Sequence, residues 1–183
     1  MLEIDRRLKR WRLVIVVTGA GLLVAAPTRA QNVSDTYLVV NVGGGGYFTG
    51  EEGKTPSGRL LGGSLGLQLG EHILVEASYE RLNLSDDRTS RIKHGSAASI
   101  LGRMGYRFRG SSRRVRPFLA FTVGRVRDAW PTEEDTFGAW GGAGGVDFTF
   151  ASRFFLRPML EIKGSSSRWA AYETTTFGFG ARF

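Results

Sequence analysis

The sequence predicts an all-β protein, an eight-stranded antiparallel up-and-down transmembrane β-barrel preceded by a cleaved signal peptide. Three observations carry that prediction. The N-terminus has the pattern of an export address. The rest of the chain is a series of segments of about ten residues in which apolar and polar side chains alternate. The connections between those segments alternate between short turns and longer polar loops.

The export address comes first in the chain. Residues 6–12, RRLKRWR, are a basic region, and residues 13–26, LVIVVTGAGLLVAA, are an apolar run of 14. Pro27 ends any helix there, and Ala30 offers a small residue at a cleavage point before Gln31. Fourteen apolar residues fall short of the ~20 that a membrane-spanning helix needs. The expected organisation is therefore a signal peptide over 1–30 and a barrel domain over 31–183.

Composition limits what that domain can be. The chain of 183 residues is long enough for one domain. Its 26 Gly disfavour helices, while 12 Phe, 5 Tyr and 4 Trp favour strands. With no Cys there is no disulfide framework, thiolate metal site or Cys nucleophile. Two His, His72 and His94, are too few for a multi-His centre, so no metal or cofactor is expected. The formal charge of +8 invites a nucleic-acid reading, but six basic and two acidic residues lie within 1–30 and account for +4 of it. The remaining basic residues are interleaved with acids and form no basic stripe, so nucleic acid is not an expected partner.

Eight alternating segments follow, near 36–48, 59–69, 72–84, 96–109, 115–127, 137–150, 153–164 and 173–183. The last is the clearest: Thr175, Phe177, Phe179, Ala181 and Phe183 share one face, and Thr176, Gly178, Gly180 and Arg182 the other. In the seventh, Phe154, Leu156, Pro158, Leu160 and Ile162 oppose Arg157, Glu161 and Lys163. In the fifth, Val115, Pro117, Leu119, Phe121 and Val123 oppose Arg116, Ala120, Thr122 and Gly124. The first two are blurred by Gly43 to Gly46 and by Gly62-Gly63. Short turns are expected at 70–71, 110–114 and 151–152, and longer loops at 49–58, 85–95, 128–136 and 165–172. An even strand number places both termini on the short-turn side, which is periplasmic in an outer-membrane barrel.

Alternation by itself does not distinguish a membrane barrel from a soluble one that turns its apolar face inward. Charge-free apolar faces about five alternate residues long, enough for a band of ~25 Å, favour the membrane. So do aromatics at both segment ends: Tyr106, Phe108, Phe148, Phe150, Phe154 and Phe183 near the short turns, and Phe48, Tyr79, Phe137, Trp140, Trp169 and Tyr172 near the loops. The charged residues then face inward. The expected lumen network is Glu76, Glu80, Arg103, Arg107, Arg116, Asp147, Arg157, Glu161, Lys163 and Arg182, with Arg109 of the same parity. Asp147 falls across from Arg157, and Glu76 near Arg103, so the set reads as cross-strand ion pairs in a polar plug. Small inward residues (Gly43, Gly45, Gly105, Gly124, Ala143, Gly145, Gly178, Gly180) are read as room for long Arg side chains. Arg81, Arg125 and Arg127 have outward parity and are candidates for lipopolysaccharide phosphate contact.

These features, and above all the final segment TFGFGARF, resemble the OmpA/OmpX-type eight-stranded outer-membrane barrels. The resemblance covers 31–183 in architecture. It implies residence in the Gram-negative outer membrane as a monomer, in contact with lipid and lipopolysaccharide. It also implies that Phe177, Phe179 and Phe183 serve as the signal to the barrel-assembly machinery, after periplasmic chaperones have carried the chain. Unlike in full-length OmpA, no periplasmic peptidoglycan-binding domain is expected after the barrel, and the loops are short for an adhesin.

The expected role is structural or surface-forming, with a side-chain-filled lumen and no enzymatic activity. A narrow proton or ion path through the lumen charges is the transport alternative. The enzymatic alternative rests on His94-Gly95-Ser96, which resembles the His-x-Ser pair of lipid A deacylase barrels, with Glu80 or Asp86 as a third member. Ala97-Ala98 follows where that family has a Ser-Asn-Ala-like stretch.

Overall fold

A computed structural model describes residues 33–49, 56–86, 93–110, 112, 114–131, 133–165 and 170–183. The signal-peptide reading, Trp169 and the boundary at residue 30 lie outside them. Eight antiparallel strands run in chain order: β1 (Val33–Thr49), β2 (Ser57–Leu69), β3 (Ile73–Asp86), β4 (Lys93–Arg107), β5 (Val115–Trp130), β6 (Glu133–Thr149), β7 (Phe154–Ser165) and β8 (Ala170–Arg182). Each pairs with its neighbours, and β1 pairs with β8 from Tyr37↔Arg182 to Thr49↔Ala170, so the sheet closes on itself. Closure leaves no strand edge with unpaired backbone, a requirement for any β-structure in hydrocarbon.

One end of the barrel carries the start of β1, the end of β8 and the turns after β2, β4 and β6 (the terminal end); the other carries the longer connections (the loop end). At the β2–β3 turn, Gly70 has φ +62°, a left-handed conformation that costs glycine nothing. His72 closes the same turn, its ring stacked on Tyr106 at 5.0 Å and its Nδ1 2.9 Å from the Arg107 carbonyl oxygen.

At the loop end the strands run longer than their alternation suggests. The expected loop at 128–136 is mostly ladder: β5 and β6 stay paired through Trp130↔Glu133. The apolar–polar alternation fades there because the strands have left the region where one face must be oily, yet the backbone pairing continues. The glycine run 43–46 is strand too, paired with 57–60 on one side and 173–176 on the other.

The facing of the side chains decides the environment. Leu119 is 60% exposed, Met104 61% and Phe177 63%, whereas Arg157 is 2% exposed and Glu161 0%. The same inversion runs around the wall: large apolar residues point outward, while the buried charges of β3, β4, β6 and β7 point inward. In water such a wall would aggregate; in a bilayer it is the low-energy arrangement. Tyr79, Trp140, Tyr106, Phe108, Phe148, Phe150 and Phe154 point outward. Phe137 and Tyr172, expected in the loop-end girdle, do not: they are buried inside at 5% and 2%. Phe137 falls one residue out of phase with outward Trp140 and Gly142, which a reading by proximity to the loop overlooks.

Candidate functional site

The lumen holds the densest chemistry in the molecule. β3 contributes Glu76 and Glu80, β4 Arg103 and Arg107, β6 Asp147, and β7 Arg157, Glu161 and Lys163, all buried. Each strand presents alternate residues inward, so residues two or four apart lie along one lumen line.

The pairing runs continuously along the lumen. Toward the terminal end, Arg107 Nη2 donates to Asp147 Oδ2 at 2.6 Å. Arg157 donates to both Asp147 oxygens, from Nε at 2.7 Å and from Nη2 at 3.2 Å. Its Nη1 reaches Glu76 Oε2 at 2.6 Å. Glu76 bridges onward, its Oε1 accepting from Arg103 Nη1 at 2.8 Å. Arg103 also grips Glu161 with two bonds of 2.8 and 3.0 Å and donates to Glu80. Lys163 Nζ closes the series on Glu80 at 2.9 Å and Glu161 at 2.8 Å. Neutral donors fill remaining lone pairs: the Tyr37 hydroxyl on Glu76 at 3.1 Å and the Thr122 hydroxyl on Glu161 at 2.8 Å. Four cations and four carboxylates thus alternate, and their charges cancel. Close, hydrogen-bonded pairing is what permits ions at this depth, because an unpaired one would cost several kcal/mol.

Arg182 and Arg116 join at the terminal mouth. Arg182 Nη2 is 3.9 Å from Asp147, and Arg116 stands opposite Asp147 in the β5–β6 register. Arg109 does not join: β4 ends at Arg107, and Arg109 lies outside on the rim, 3.2 Å from exposed Glu71. Its parity is inward, but parity has no meaning once the strand has ended.

Two features of the lumen are absent from the sequence reading. The first is aromatic. Tyr37, Phe118 and Phe155 point inward, and each faces a cross-strand glycine: Tyr37↔Gly66, Phe118↔Gly145 and Phe155↔Gly180. A Cβ on Gly180 would lie 2.2 Å from the Phe155 ring, and one on Gly66 2.2 Å from Tyr37. These glycines make room for rings rather than directly for arginines. The rings then carry the arginines: the Arg157 guanidinium carbon is 5.0 Å from the Tyr37 centroid, 4.9 Å from Phe118 and 5.2 Å from Phe155. The signal was present as one aromatic and one glycine at facing positions, readable only once the register is known.

The second feature is an apolar seal. Toward the loop end, Leu60, Leu82, Leu84, Ala97, Val126, Phe137, Ala139 and Tyr172 fill the lumen, with Trp130 packed against them. A polar plug was expected, and toward the loop end an apolar cluster takes its place, with Ser99, Asp128 and Thr174 buried near it. Between this cluster and the Glu80–Lys163 pair, a void of about 10 Å³ is lined by Leu60, Leu82, Ser99 and Thr174, among others. That is room for about one water.

On the outer wall, Arg81, Arg125 and Arg127 are exposed and gathered near the loop end. Arg81 and Arg127 flank Ala98 in one cross-strand row, and Arg125 sits in the next row beside Ile100. Arg127 is held by Glu134 through two bonds of 2.7 and 2.8 Å. His94 and Ser96 lie on this outer face as well. His94 Nδ1 is 3.4 Å from Ser85 Oγ. Glu80, one choice for a catalytic third member, is buried on the other side of the wall, bound to Arg103 and Lys163. The Asp86 side chain falls outside the described residues. Among the described residues, no group of His, Cys, Asp and Glu could hold a metal ion.

The described strands form a closed eight-stranded wall, oily outside and with buried charges inside. The family model for the outer membrane protein beta-barrel domain matches residues 15–183. The chain belongs to that family. No curated protein matches the sequence. Among solved structures, Neisserial surface protein A is similar with a TM-score of 0.68 at 14% identity, over 81% of this chain and 97% of that one. OprG of Pseudomonas aeruginosa is similar at 0.59 and 9%, over 83% and 97%. Ail, the attachment invasion locus protein of Yersinia pestis, is similar at 0.55 and 13%, over 81% and 98%. At these identities the likeness is one of fold. The protein is an outer-membrane β-barrel of the eight-stranded class.

Proposed function

We propose that this barrel is a closed, non-conducting structural component of the outer membrane, with both termini periplasmic and a loop-end wall that contacts lipopolysaccharide. The observation that carries the closed reading is the lumen filling. A permeating ion would have to break a neutral, mutually bonded set of charges and then cross a dry apolar cluster. Hydrophobic constrictions of this kind block ions because water does not wet them. Reconstitution in planar bilayers is expected to show no discrete channels, and steady single-channel steps would refute the proposal. Such steps would favour the narrow ion path, with the lumen charges as its gate.

The lipopolysaccharide reading is supported by three guanidiniums within two adjacent rows of the outer wall, where phosphates accept charge-assisted bonds. Changing Arg81, Arg125 and Arg127 together to Gln should reduce lipopolysaccharide co-purifying with the barrel. An unchanged amount would count against it. Outward Phe177, Phe179 and Phe183 supply the exposed aromatic strand that assembly by the barrel-assembly machinery would use. For the His94/Ser96 pair, lipid A from cells expressing wild type and S96A is expected to give the same mass spectrum.

A further inference from the structure

The lumen charges cancel only as far as the eight-residue series. Arg116 and Arg182 add two cations at the terminal mouth, and Asp35, whose charge acts on Arg182, offsets one. Both arginines bring positive charge to the mouth beside Arg107. These three arginines also repel one another: the charge of Arg116 opposes those of both Arg107 and Arg182.

Hydrogen bonding at the mouth is short of acceptors. Arg182 Nη1 donates to Thr149 Oγ1 at 3.2 Å, while its Nε and Nη2 are buried with no hydrogen-bond partner among the described residues. Arg107 Nε, on a side chain 1% exposed, is likewise without one. Phe155 lies under the Arg182 guanidinium carbon at 4.8 Å. A ring face attracts the cation but cannot accept its in-plane N–H groups. Buried guanidinium donors without acceptors are rare and costly in a folded protein.

We propose that the terminal mouth of the lumen binds a small oxyanion of phosphate size, held by Arg116 and Arg182 with Arg107 behind them. The ion places negative charge among mutually repelling guanidiniums and supplies acceptors in their plane. Arg116 is half-buried and the Arg182 side chain 11% exposed, so the ion enters from the aqueous side of the mouth. The apolar seal at the other end of the lumen keeps it from passing through. The mouth is a binding site and not a conduit.

The test uses the barrel refolded in dodecyl maltoside, free of phospholipid and lipopolysaccharide, with inorganic phosphate as the probe. Ionic strength is held constant with sodium gluconate, whose anion is larger. The unfolding temperature is expected to rise saturably with phosphate. R116Q and R182Q should lose that rise and, without phosphate, unfold no earlier than wild type, because each removes a cation that repels its arginine neighbours. R153Q, on the exposed rim, should keep the wild-type response. Broadening of the phosphorus-31 resonance of phosphate by wild type gives a second readout that needs no variant. The proposal is overturned if wild type unfolds at the same temperature in phosphate and gluconate with no broadening, or if R116Q and R182Q respond as wild type does.

Discussion

Glu76 is the point at which the lumen series is most exposed to a single atomic change. E76Q keeps the size and removes the charge. The carboxylate accepts from Arg103 at 2.8 Å, Arg157 at 2.6 Å and Tyr37 at 3.1 Å, in a residue 3% exposed. The amide that replaces it can turn its oxygen to only one arginine and must aim N–H groups at the other. Bonds to charged groups are worth about 1.5–3 kcal/mol each, and breaking a buried pair from one side costs about 3–5 kcal/mol. Two such bonds are compromised and the series is left with one net positive charge, so a loss of about 3–5 kcal/mol is expected. Urea unfolding in vesicles, followed by tryptophan fluorescence, measures it. R127Q is the control: its Glu134 pair is exposed, and exposed pairs contribute at most about 1 kcal/mol. If E76Q fell within about 0.5 kcal/mol of wild type, or matched R127Q, the lumen ions would not be holding the barrel together.

Two further substitutions test packing and facing. G180A should destabilise by about 1–3 kcal/mol through collision with Phe155, whereas G142A, whose nearest neighbour is a backbone oxygen at 3.8 Å on the lipid side, should be close to neutral in the same urea assay. F137A removes a ring from the lumen seal and should cost about 3–5 kcal/mol, a loss that a girdle residue facing lipid would not show. L119R places a charge on the apolar wall and should cost about 2–4 kcal/mol in vesicles if Leu119 lies near the bilayer midplane.

Much of the barrel is determined by the sequence alone. The period-two alternation in β7 and β8 leaves one solution for which face meets lipid, because a slip of one residue would send Arg157 and Glu161 into hydrocarbon. Facing in β3 to β5 follows from the same constraint, as does the pairing of Glu76 with Arg103 in adjacent strands. Alternation is local, and it becomes uninformative where the membrane no longer imposes it. That is why the ladder beyond residue 127 and the end of β4 before Arg109 were read wrongly.

What only the tertiary structure decided is which inward residues meet across the lumen. Arg103 and Glu161 are 58 residues apart in sequence, and Lys163 and Glu80 are 83 apart. Phe137 and Tyr172 join Leu60 and Leu82 in one seal although they come from strands on different sides of the wall. Closing the sheet at a particular stagger sets those meetings, since the shear of the barrel fixes the height at which each strand delivers its inward residues. Periodicity states which way a side chain points. Closure determines what it finds there.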